Sequence, residues 1–367
     1  MDATTYELRL NDSAGTWIGH FTDFQNLVYT KKRNGVGRCE FDVRADHPYV
    51  GSLADKCQLK VRRENASMGL AQHSDFDGIV RSLKRSRTDH TMYHCVALGL
   101  LHFLSWREVA WDAETANRTV FTTVAAETIM KTLVDYNICA NATAVNGRDR
   151  DGTITGFTIQ ADGAGGNAVD WACTRDNLLE TLQKLAAVAG GDFDLINTSA
   201  ANYQFRWYTG QRGTDRTASV LFSPDRDNMQ NPVYTFDRMG EATVCIVGGP
   251  GEESAREITI RTGTNYHATT NNIERFVNGS DLKLAAAREA FGDSKLSGWQ
   301  AREAFEFEVL QTKSCFYGEV ASGGHYELGD KVTATWGSDT FTPIVDAVTI
   351  QVFNEGGDEV RVEFADA

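Results

Sequence analysis

Alternating apolar and polar residues dominate the first 110 residues of the chain. Alternation at every second position is typical of β-strands that bury one face. The alternating segments are Tyr6–Leu10, Cys39–Val43, Cys57–Val61, Phe76–Leu83 and Met92–Leu98. Turn residues, such as the cluster Lys32-Arg33-Asn34-Gly35, separate them. Many short strands joined by turns predict a small antiparallel β-barrel or sandwich.

Residues 111–205 mix helical and strand-like patterns. The segments Ala125–Tyr136 and Leu178–Ala189 repeat apolar residues every three or four positions, as amphipathic helices do. We expect Thr174 or Asp176 to cap the second helix, and the glycine pair after it to end it. Two strand-like segments follow, Phe193–Ile196 and Tyr203–Tyr208. The region is predicted to be an α+β domain.

Strand-like segments dominate again from Ser219 onward, and one helix interrupts them. Ser280 is the expected N-cap of this helix, which is predicted to span Asp281–Phe291 and to end at Gly292. The alternating pattern returns at Phe305–Val309 and continues to the C-terminus.

Three consecutive strand-like segments near the C-terminus match three early segments in order and in alternation. The early set is Cys57–Arg63 after Asp55-Lys56, then Phe76–Leu83 and Thr91–Val96. The late set is Val332–Trp336 after Asp330-Lys331, then Phe341–Val348 and Glu359–Phe364. Two antiparallel meanders can resemble one another by chance, but the shared Asp-Lys and Phe-x-x-Ile-Val sequences favour a duplicated module. We therefore predict two related β-barrels in one chain.

Composition narrows the class of protein. Hydrophobic residues make up 41 % of the 367 residues and charged residues 23 %, as in soluble globular proteins. No apolar run approaches the ~20 residues of a membrane helix, and the N-terminal residues lack the pattern of a secretory signal. Seven widely spaced cysteines without a CxxC pair indicate reduced thiols in a cytoplasmic setting, rather than zinc or redox sites.

The charge of the chain bears on nucleic-acid binding. The net charge is −14, and residues 211–367 hold 25 acidic and 14 basic residues. A negative surface repels the phosphate backbone, so we expect DNA to pass such a surface without tight binding. The strongest basic cluster consists of Arg81, Lys84, Arg85 and Arg87. Such a cluster is most often a solvated hairpin, and the alternative is a contact with an acidic neighbour.

The sequence predicts no catalytic residue, no cofactor and no metal. Asn146–Thr153 resembles a calcium loop but lacks its first acidic ligand and its terminal glutamate, so we expect a hairpin turn. The glycine-rich stretches Gly163–Gly166 and Gly248–Gly251 lack the signature of a phosphate-binding loop and are predicted to be turns. His90 and His94 lie on a predicted strand, where residues four apart are roughly 13 Å apart, too far to share an ion.

Three segments, taken in order, resemble the tail hub (baseplate hub) proteins of tailed bacteriophages. They are Phe76–Val80, the helix Asp176–Ala186 and Tyr326–Val332. The resemblance covers most of the chain. It implies a mainly β fold with α+β insertions, in which two tail-tube-like antiparallel β-barrels carry peripheral α+β domains.

The resemblance also implies a domain organisation and a function. The predicted parts are β-barrel one at 1–110, an α+β middle domain at 111–205, β-barrel two at 206–258 with 304–367, and a peripheral helical insertion at 259–303. Hub proteins assemble as trimers, so three chains with two barrels each present six similar barrels. The implied function is a non-enzymatic virion protein, assembled in the host cytoplasm, that joins a six-fold tail tube to a three-fold tip and lines a DNA channel.

The implied partners are two further copies, a tail-tube ring protein above, and a tip, fibre or needle protein below. DNA passes without specific binding, and no stable membrane insertion is implied. Many hub proteins continue past the second barrel into a long tip segment or a peptidoglycan-cutting domain. This sequence ends shortly after its last predicted strand, so we expect any such activity to belong to another protein.

Two other functions fit parts of the sequence. A tail-tip module that binds carbohydrate would use exposed tryptophans, and the candidates are Trp106, Trp111, Trp207, Trp299 and Trp336. Isolated tryptophans in β-rich chains are more often core or interface residues. A polysaccharide-degrading enzyme would need two carboxylates about 5–10 Å apart across a groove, a distance that a sequence does not give.

Overall fold

A computed structural model of the chain describes residues 4–53, 57–87, 91–112, 118–280, 282, 285–318 and 325–365. The chain divides into two compact units. The first unit holds residues 1–230 and 308–367, and the second unit holds residues 231–307. None of the helices described is long and apolar enough to cross a membrane.

The strands and helices are numbered in chain order. The strands are β1 (Thr5–Asn11), β2 (Trp17–Phe21), β3 (Gln25–Lys32), β4 (Arg38–Arg44), β5 (Gln58–Asn65), β6 (Leu70–Arg87), β7 (Thr91–Gly99), β8 (Thr119–Ala125), β9 (Phe157–Ile159), β10 (Ala168–Cys173), β11 (Gly191–Ser199), β12 (Asn202–Thr209), β13 (Leu221–Phe222), β14 (Met229–Asp237), β15 (Val244–Gly248), β16 (Ile258–Thr262), β17 (Glu274–Asn278), β18 (Arg302–Val309), β19 (Thr333–Trp336), β20 (Asp339–Phe341), β21 (Ile344–Val352) and β22 (Asp358–Ala365). The α-helices are α1 (Ala126–Ile138), α2 (Leu178–Ala189) and α3 (Ala285–Gly298).

The largest element of the first unit is a nine-stranded antiparallel sheet that curls on itself. Its strand order is β2-β1-β5-β6-β7-β4-β3-β21-β22. Tyr6 on β1 donates a hydrogen bond to Asp358 on β22, so the curl brings the C-terminal strand back towards β1. Fully buried apolar side chains of these strands form the core: Leu8, Leu10, Leu27, Tyr29, Phe41, Val43, Leu59, Val61, Val348 and Ile350. The predicted fold class, mainly β with α+β insertions, is confirmed.

The C-terminal hairpin β21–β22 shares this sheet with the N-terminal strands. Strand β21 pairs with β3, with Ile350 opposite Tyr29. This pairing covers a β3 edge whose backbone groups would otherwise lack partners on that side. The domain prediction assigned these strands to a second barrel. It placed the peripheral insertion at 259–303, and the second compact unit begins at residue 231. The boundaries of the two barrels stay a prediction.

The two matched sets of strands have the same arrangement. Strand β6 pairs with β5 along its first half and with β7 along its second half. In the late set, β20 and β21 together correspond to β6. Strand β20 pairs with β19, a bridge between Lys331 and Ile344 extends this pairing into β21, and β21 then pairs with β22. In both sets, one extra residue of the central strand forms a β-bulge directly after an Ile-Val pair. The extra residue is Arg81 in the first set and Asp346 in the second.

The strand register refines the sequence alignment of the two sets. Gln58 lies opposite Ile79, and Lys331 lies opposite Ile344. Lys331 therefore corresponds in register to Gln58 and not to Lys56, so the alignment of the two Asp-Lys sequences is wrong by two residues. The matched pair Asp55-Lys56 lies outside the described residues.

The middle region contains both predicted helices, α1 and α2, packed against the sheet β11-β12-β9. The N-cap of α2 is Asn177, whose side chain accepts a hydrogen bond from the Glu180 N–H. The predicted caps, Thr174 and Asp176, are wrong because only the residue directly before the first helical turn can reach that N–H. Gly190 ends α2 as predicted, in the left-handed conformation with φ +68.

The second unit contains the three-stranded sheet β16-β15-β17, with α3 on one face. Cys245, Val247 and Leu296 form its small core. Helix α3 runs through Gly292 to Gly298, so the prediction that Gly292 ends the helix is wrong.

The reason for this difference is close packing. A Cβ atom at Gly292 would lie 2.7 Å from Arg261 Cγ and 3.2 Å from a Val247 methyl group. Glycine at this position lets the helix approach the sheet, and burial of the apolar face continues the helix past it. The predicted start of the helix at Asp281 lies outside the described residues.

Candidate functional site

The buried carboxylate of Asp75 joins the N-terminal strands to the C-terminal part of the first unit. Tyr29 Oη donates a hydrogen bond of 2.6 Å to Asp75 Oδ2, and Lys31 Nζ lies 3.0 Å from Oδ1. Tyr317 Oη, from the segment between β18 and β19, donates to Oδ1 at 3.2 Å. Asp75 is itself the extra residue of a β-bulge, because its neighbours Ser74 and Phe76 pair with consecutive residues of β5. The bulge turns this carboxylate towards its three donors.

Protonation states in this cluster are fixed by mutual contacts. Burial disfavours the ionised form of Asp75, but Lys31 and the other surrounding donors hold the pKa of the carboxyl well below its usual range. Burial, with the negative charge of Asp75, raises the pKa of Tyr29 and of Tyr317 well above the ordinary value. Both phenols therefore stay neutral donors, and Asp75 stays an anion.

Arg63 on β5 links the same cluster to the last strand. Its guanidinium donates to the Tyr317 carbonyl at 2.9 Å and lies 3.9 Å from Asp75. The other end of the guanidinium lies 3.8 Å from Asp358 at the start of β22. Loss of one partner would leave a buried charge uncompensated, so these contacts hold distant parts of the chain together.

The turn between β3 and β4 forms a second junction. Arg33 Nε donates to Asp346 Oδ1 at 2.8 Å, and its NH1 donates to Asp192 Oδ1 at 3.0 Å. Asn34 Nδ2 also donates to Asp192, at 2.8 Å. The sequence identified this stretch only as a turn. The contacts of this turn depend on the bulge at Asp346 and on the position of β11. No local sequence pattern predicts either feature.

Asp330 of the Asp-Lys sequence has a structural role. It is buried and accepts hydrogen bonds from the Thr214 N–H at 2.7 Å and from Arg216 Nε at 2.6 Å. It also accepts the Glu327 N–H at 2.9 Å. These bonds fix the segment after β12 against the start of β19.

Two polar cavities of about 190 and 280 Å³ adjoin these contacts. Lys31 and Arg212 line both of them. Each of these cations already has a carboxylate partner, Asp75 at 3.0 Å and Asp194 at 2.9 Å respectively. The cavity walls are therefore part of the ion-paired framework of the first unit.

The predicted basic cluster, Arg81, Lys84, Arg85 and Arg87, lies on the C-terminal half of β6. All four side chains are exposed. Arg85 lies over the Tyr93 ring, 5.9 Å from its centroid, and Arg81 lies over the Trp106 ring at 5.1 Å. These cation–π contacts orient two of the four cations. The cluster forms a positive stripe, called the β6 stripe below, along one strand of the β6–β7 hairpin.

The stretches whose sequences resemble ligand-binding loops form ion pairs and hydrogen bonds within the protein. In the calcium-like stretch, Asp149 pairs with Arg175, and Asp151 accepts the Ala144 N–H. In the first glycine-rich stretch, the Gly165 N–H donates to the carboxylate of Glu127 at 2.7 Å. In the second glycine-rich stretch, Gly248 ends β15, and the next three residues begin the connection to β16.

The histidines and cysteines occupy separate places in the fold. His94 lies on β7, with Nδ1 2.8 Å from Asp42, and His90 lies outside the described residues. All seven cysteines are buried free thiols, and burial raises the pKa of Cys39 and Cys95. Within the described ranges, no group of three or more His, Cys, Asp or Glu side chains could hold a metal ion.

Most of the candidate tryptophans pack against other side chains. Trp207 is buried, Trp111 stacks on Tyr136, Trp106 contacts Phe103, and Trp299 packs against the core of the second unit. Trp336 is 42 % exposed. Four of the five rings therefore already pack against side chains of their own unit.

Comparison with solved structures identifies the fold. The 43 kDa tail protein of prophage MuSo2 from Shewanella oneidensis has a TM-score of 0.58 at 11 % identity, over 98 % of each chain. The prophage tail protein gp18 from Listeria monocytogenes EGD-e has a TM-score of 0.55 at 12 % identity, over 97 % of this chain and 94 % of that one. A chain of the lidded Francisella PdpA–VgrG complex has a TM-score of 0.60 at 7 % identity, over 100 % of this chain and 53 % of that one.

Comparison of the amino-acid sequence with protein families assigns the chain to one family. No curated protein matches the chain in sequence. The family model described as Siphovirus ReqiPepy6 Gp37-like protein matches residues 7–365, which is nearly the whole chain. The resemblance to phage tail and baseplate proteins is thereby confirmed. The chain belongs to the Siphovirus ReqiPepy6 Gp37-like family and has the fold of phage tail proteins.

Proposed function

We propose that three copies of this chain form a hub that joins the six-fold tail tube to a three-fold tail tip or baseplate. The observation that carries the proposal is the repeated set of three strands, with a β-bulge after the same Ile-Val pair in each set. Three chains that each carry two related modules present six similar surfaces to a six-fold ring. The hub is a scaffold rather than an enzyme and is assembled in the host cytoplasm.

The edges of the large sheet support assembly through strands. Among the described residues, β2 and β22 are the outer strands of the nine-stranded sheet. Outer strands carry backbone groups that can pair with another chain. In the proposed hub, these strands and the nearby loops contact the neighbouring copies.

The β6 stripe supports a contact with an acidic surface. Its four cations lie on one exposed strand of a chain whose net charge is −14. Such a concentration of positive charge steers and orients an acidic partner. The partner in the proposed hub is a neighbouring copy or the tail-tube ring above it.

The net negative charge also supports passage of DNA. A hub channel whose wall repels phosphates lets DNA move through without binding to it.

A structure with the same fold comes from the Francisella PdpA–VgrG complex, which supports a role for this fold in binding partner proteins. The proposed partners below the hub are tip, fibre or needle proteins.

The test combines a mass measurement with negative-stain imaging of the purified full chain. The proposal predicts the mass of three chains and particles with an open centre. A chain that stays monomeric at all concentrations, or a closed globular oligomer, would overturn it.

A further inference from the structure

Strand β14 and the residues after it repeat the sequence of strand β3 and its turn. Residues 25–35 and 230–240 share Gln, Asn, Val, Tyr, Thr, Arg and Gly at seven of eleven positions. Asn26 and Asn231, the second residue of each segment, both have a left-handed backbone, with φ +52 and +50. A residue other than glycine seldom adopts this conformation. The two segments therefore share an unusual backbone feature as well as a sequence.

The strands that pair with these segments also correspond. Strand β3 pairs with β4, and β14 pairs with β18. Arg38 and Phe41 of β4 match Arg302 and Phe305 of β18 in spacing, and an acidic residue follows each phenylalanine. Strands β14 and β18 are therefore the late counterparts of β3 and β4. Residues 238–301, most of the second compact unit, are an insertion at the place of the β3–β4 turn.

Inside the chain, β3 fills an edge of the late set of strands. It pairs with β21 directly after the bulge at Asp346, on the side that β22 leaves free. The matching side of β6 follows the bulge at Arg81. Along residues 82–87, β6 pairs with β7 alone among the described strands, because its residue pairs with β5 end at Ile79. The early set is therefore open at the place where the late set is filled.

The open edge of β6 and the unpaired side of β14 both expose apolar side chains. Tyr234 and Phe236 on β14 are 39 % and 57 % exposed, and Leu83 on β6 is 39 % exposed. Strand β14 pairs with β18 alone among the described strands. In the pairing of β3 with β21, called the internal junction below, the counterparts of Tyr234 and Leu83 are Tyr29 and Val348, and both are fully buried.

A ring of copies needs one further junction for each chain. The internal junction joins the early strand β3 to the late strand β21. The reverse junction, between late β14 and early β6, is heterologous, and such contacts between copies can close a ring. Unpaired strand edges add a strand from another chain through backbone hydrogen bonds. We infer that β14 of one copy pairs with the open edge of β6 of the next copy, an inference that rests on the ring of copies proposed above.

The internal junction gives the register of the proposed one. Lys31 lies opposite Val348, two residues after the bulge at Asp346. The counterparts of these two residues are Phe236 and Leu83. They should therefore lie directly opposite one another, and the pairing would cover two apolar side chains that a single chain leaves exposed.

A carboxylate of β14 fits the β6 stripe in this register. Asp237 corresponds to Lys32, which lies opposite Ala347. Asp237 should therefore lie opposite Ser82, diagonal to Lys84 on the same side of the sheet. Diagonal neighbours on adjacent strands are about 7–8 Å apart, within reach of a lysine side chain. The proposed junction gives Lys84 an acidic partner.

One contact of the internal junction is not repeated. The residues that correspond to the ion pair of Arg33 with Asp346 are Arg238 and Arg81. Arg238 binds Glu241 at 2.7 Å and lies over the ring of the phenylalanine two residues before it. Arg81 lies over a tryptophan ring. Both guanidiniums have contacts within their own chain, so the proposed junction depends on backbone pairing and on the apolar pair.

A disulfide between copies tests the register. In the double variant Leu83→Cys with Phe236→Cys, the two Cα atoms should lie about 4.5–5.5 Å apart, a separation that a disulfide spans. Mild oxidation of the purified full chain should produce covalent dimers and trimers on a non-reducing gel. The seven native cysteines are buried, so the wild type should stay unlinked.

The matched control is Arg87→Cys with Phe236→Cys. Residues four apart along a strand are separated by about 13 Å, so this pair should stay unlinked. The double variant Lys84→Cys with Thr235→Cys repeats the test at the neighbouring pair. Opposite residues in antiparallel strands alternate between a closer and a wider spacing, so the two double variants sample both spacings.

The possible results separate this contact from the proposed trimer. Links between copies in the in-register variants, with none in the control, would support the junction. A trimeric wild type whose in-register variants link no more than the control would overturn the junction and leave the trimer standing. A disulfide within one chain would overturn it as well, since β14 would then reach β6 of its own copy. A monomeric wild type would overturn both the trimer and this contact.

Discussion

Arg81 and Asp346 occupy matching positions in two strands that lie far apart in the chain. Each is the extra residue of a β-bulge, and each follows an Ile-Val pair. A bulge redirects the side chain that it carries. Asp346 contacts Arg33 at 2.8 Å, and Arg81 lies over the Trp106 ring. Alternation alone does not place a bulge, so its presence at the same point of both strand sets supports a duplicated module.

The buried cluster at Asp75 should control the stability of the first unit. Asp75→Asn removes the negative charge and leaves Lys31 and Arg63 without their buried partner. We expect the free energy of unfolding in urea to fall by about 3–5 kcal/mol. Asp149→Asn, which breaks an exposed pair with Arg175, is the control and should change stability little. Similar losses for the two variants would contradict the importance of the buried cluster.

His73 should make stability depend on pH. Its Nε2 lies 3.9 Å from Asp75 Oδ1, and the interaction with this carboxylate raises the pKa of His73 against the effect of burial. A raised pKa in the folded state means that protonated His73 stabilises the fold. That stabilisation is complete below the unfolded pKa of about 6.5 and is lost as the pH rises through the folded value.

This pH dependence is measured by urea unfolding of the wild type and of His73→Gln at about pH 5.5 and about pH 9. The wild type should be more stable than the variant at the acidic pH, and its advantage should shrink at the alkaline pH. An equal difference at both values would show that His73 is not coupled to Asp75.

Two glycines of α3 should respond in opposite ways to alanine. At Gly298 a Cβ atom meets nothing within 4 Å, so Gly298→Ala should leave stability unchanged or raise it by up to about 1 kcal/mol. At Gly292 the added methyl group would meet Arg261 and Val247, and the substitution should destabilise the unit despite the better helix propensity. Thermal unfolding compares the two variants. Stabilisation by both would contradict close packing of the helix at Gly292.

Reversing the charge of the β6 stripe should affect assembly more than folding. With all four cations replaced by glutamate, the exposed strand should still form, because its backbone pairing with β7 is unchanged. Trimer formation and tail assembly should weaken. Reversal of the exposed cations Lys184 and Arg150, which lie outside the β6 stripe and the outer strands, is the control. Normal trimers and normal tails after reversal of the stripe would remove its proposed role.

The strand pattern and two of the helices followed from the sequence because their signals are local. Alternation identified β1, β4 and β5, and the spacing of Leu178, Leu182 and Leu185 identified α2. The end of α3 did not follow, because Gly292 serves close packing on β16 and the sequence does not show what a glycine will meet.

The junctions between distant segments were the part that sequence reasoning missed. Asp75 looked like one polar residue of a strand, and Arg33 looked like part of a turn. Their partners, Tyr317 and Asp346, follow more than 200 residues later. Such contacts depend on the curl of the sheet and on bulges, which a pattern of apolar and polar positions does not encode.

The rotational symmetry of the assembled ring tests the central claim most directly. End-on images of the purified protein can be analysed for the strength of each rotational order at each radius. Two related modules per chain predict a strong six-fold component around an open centre and a three-fold component at the periphery. A ring with only three-fold order at every radius, or no ring, would contradict the duplicated-module hub.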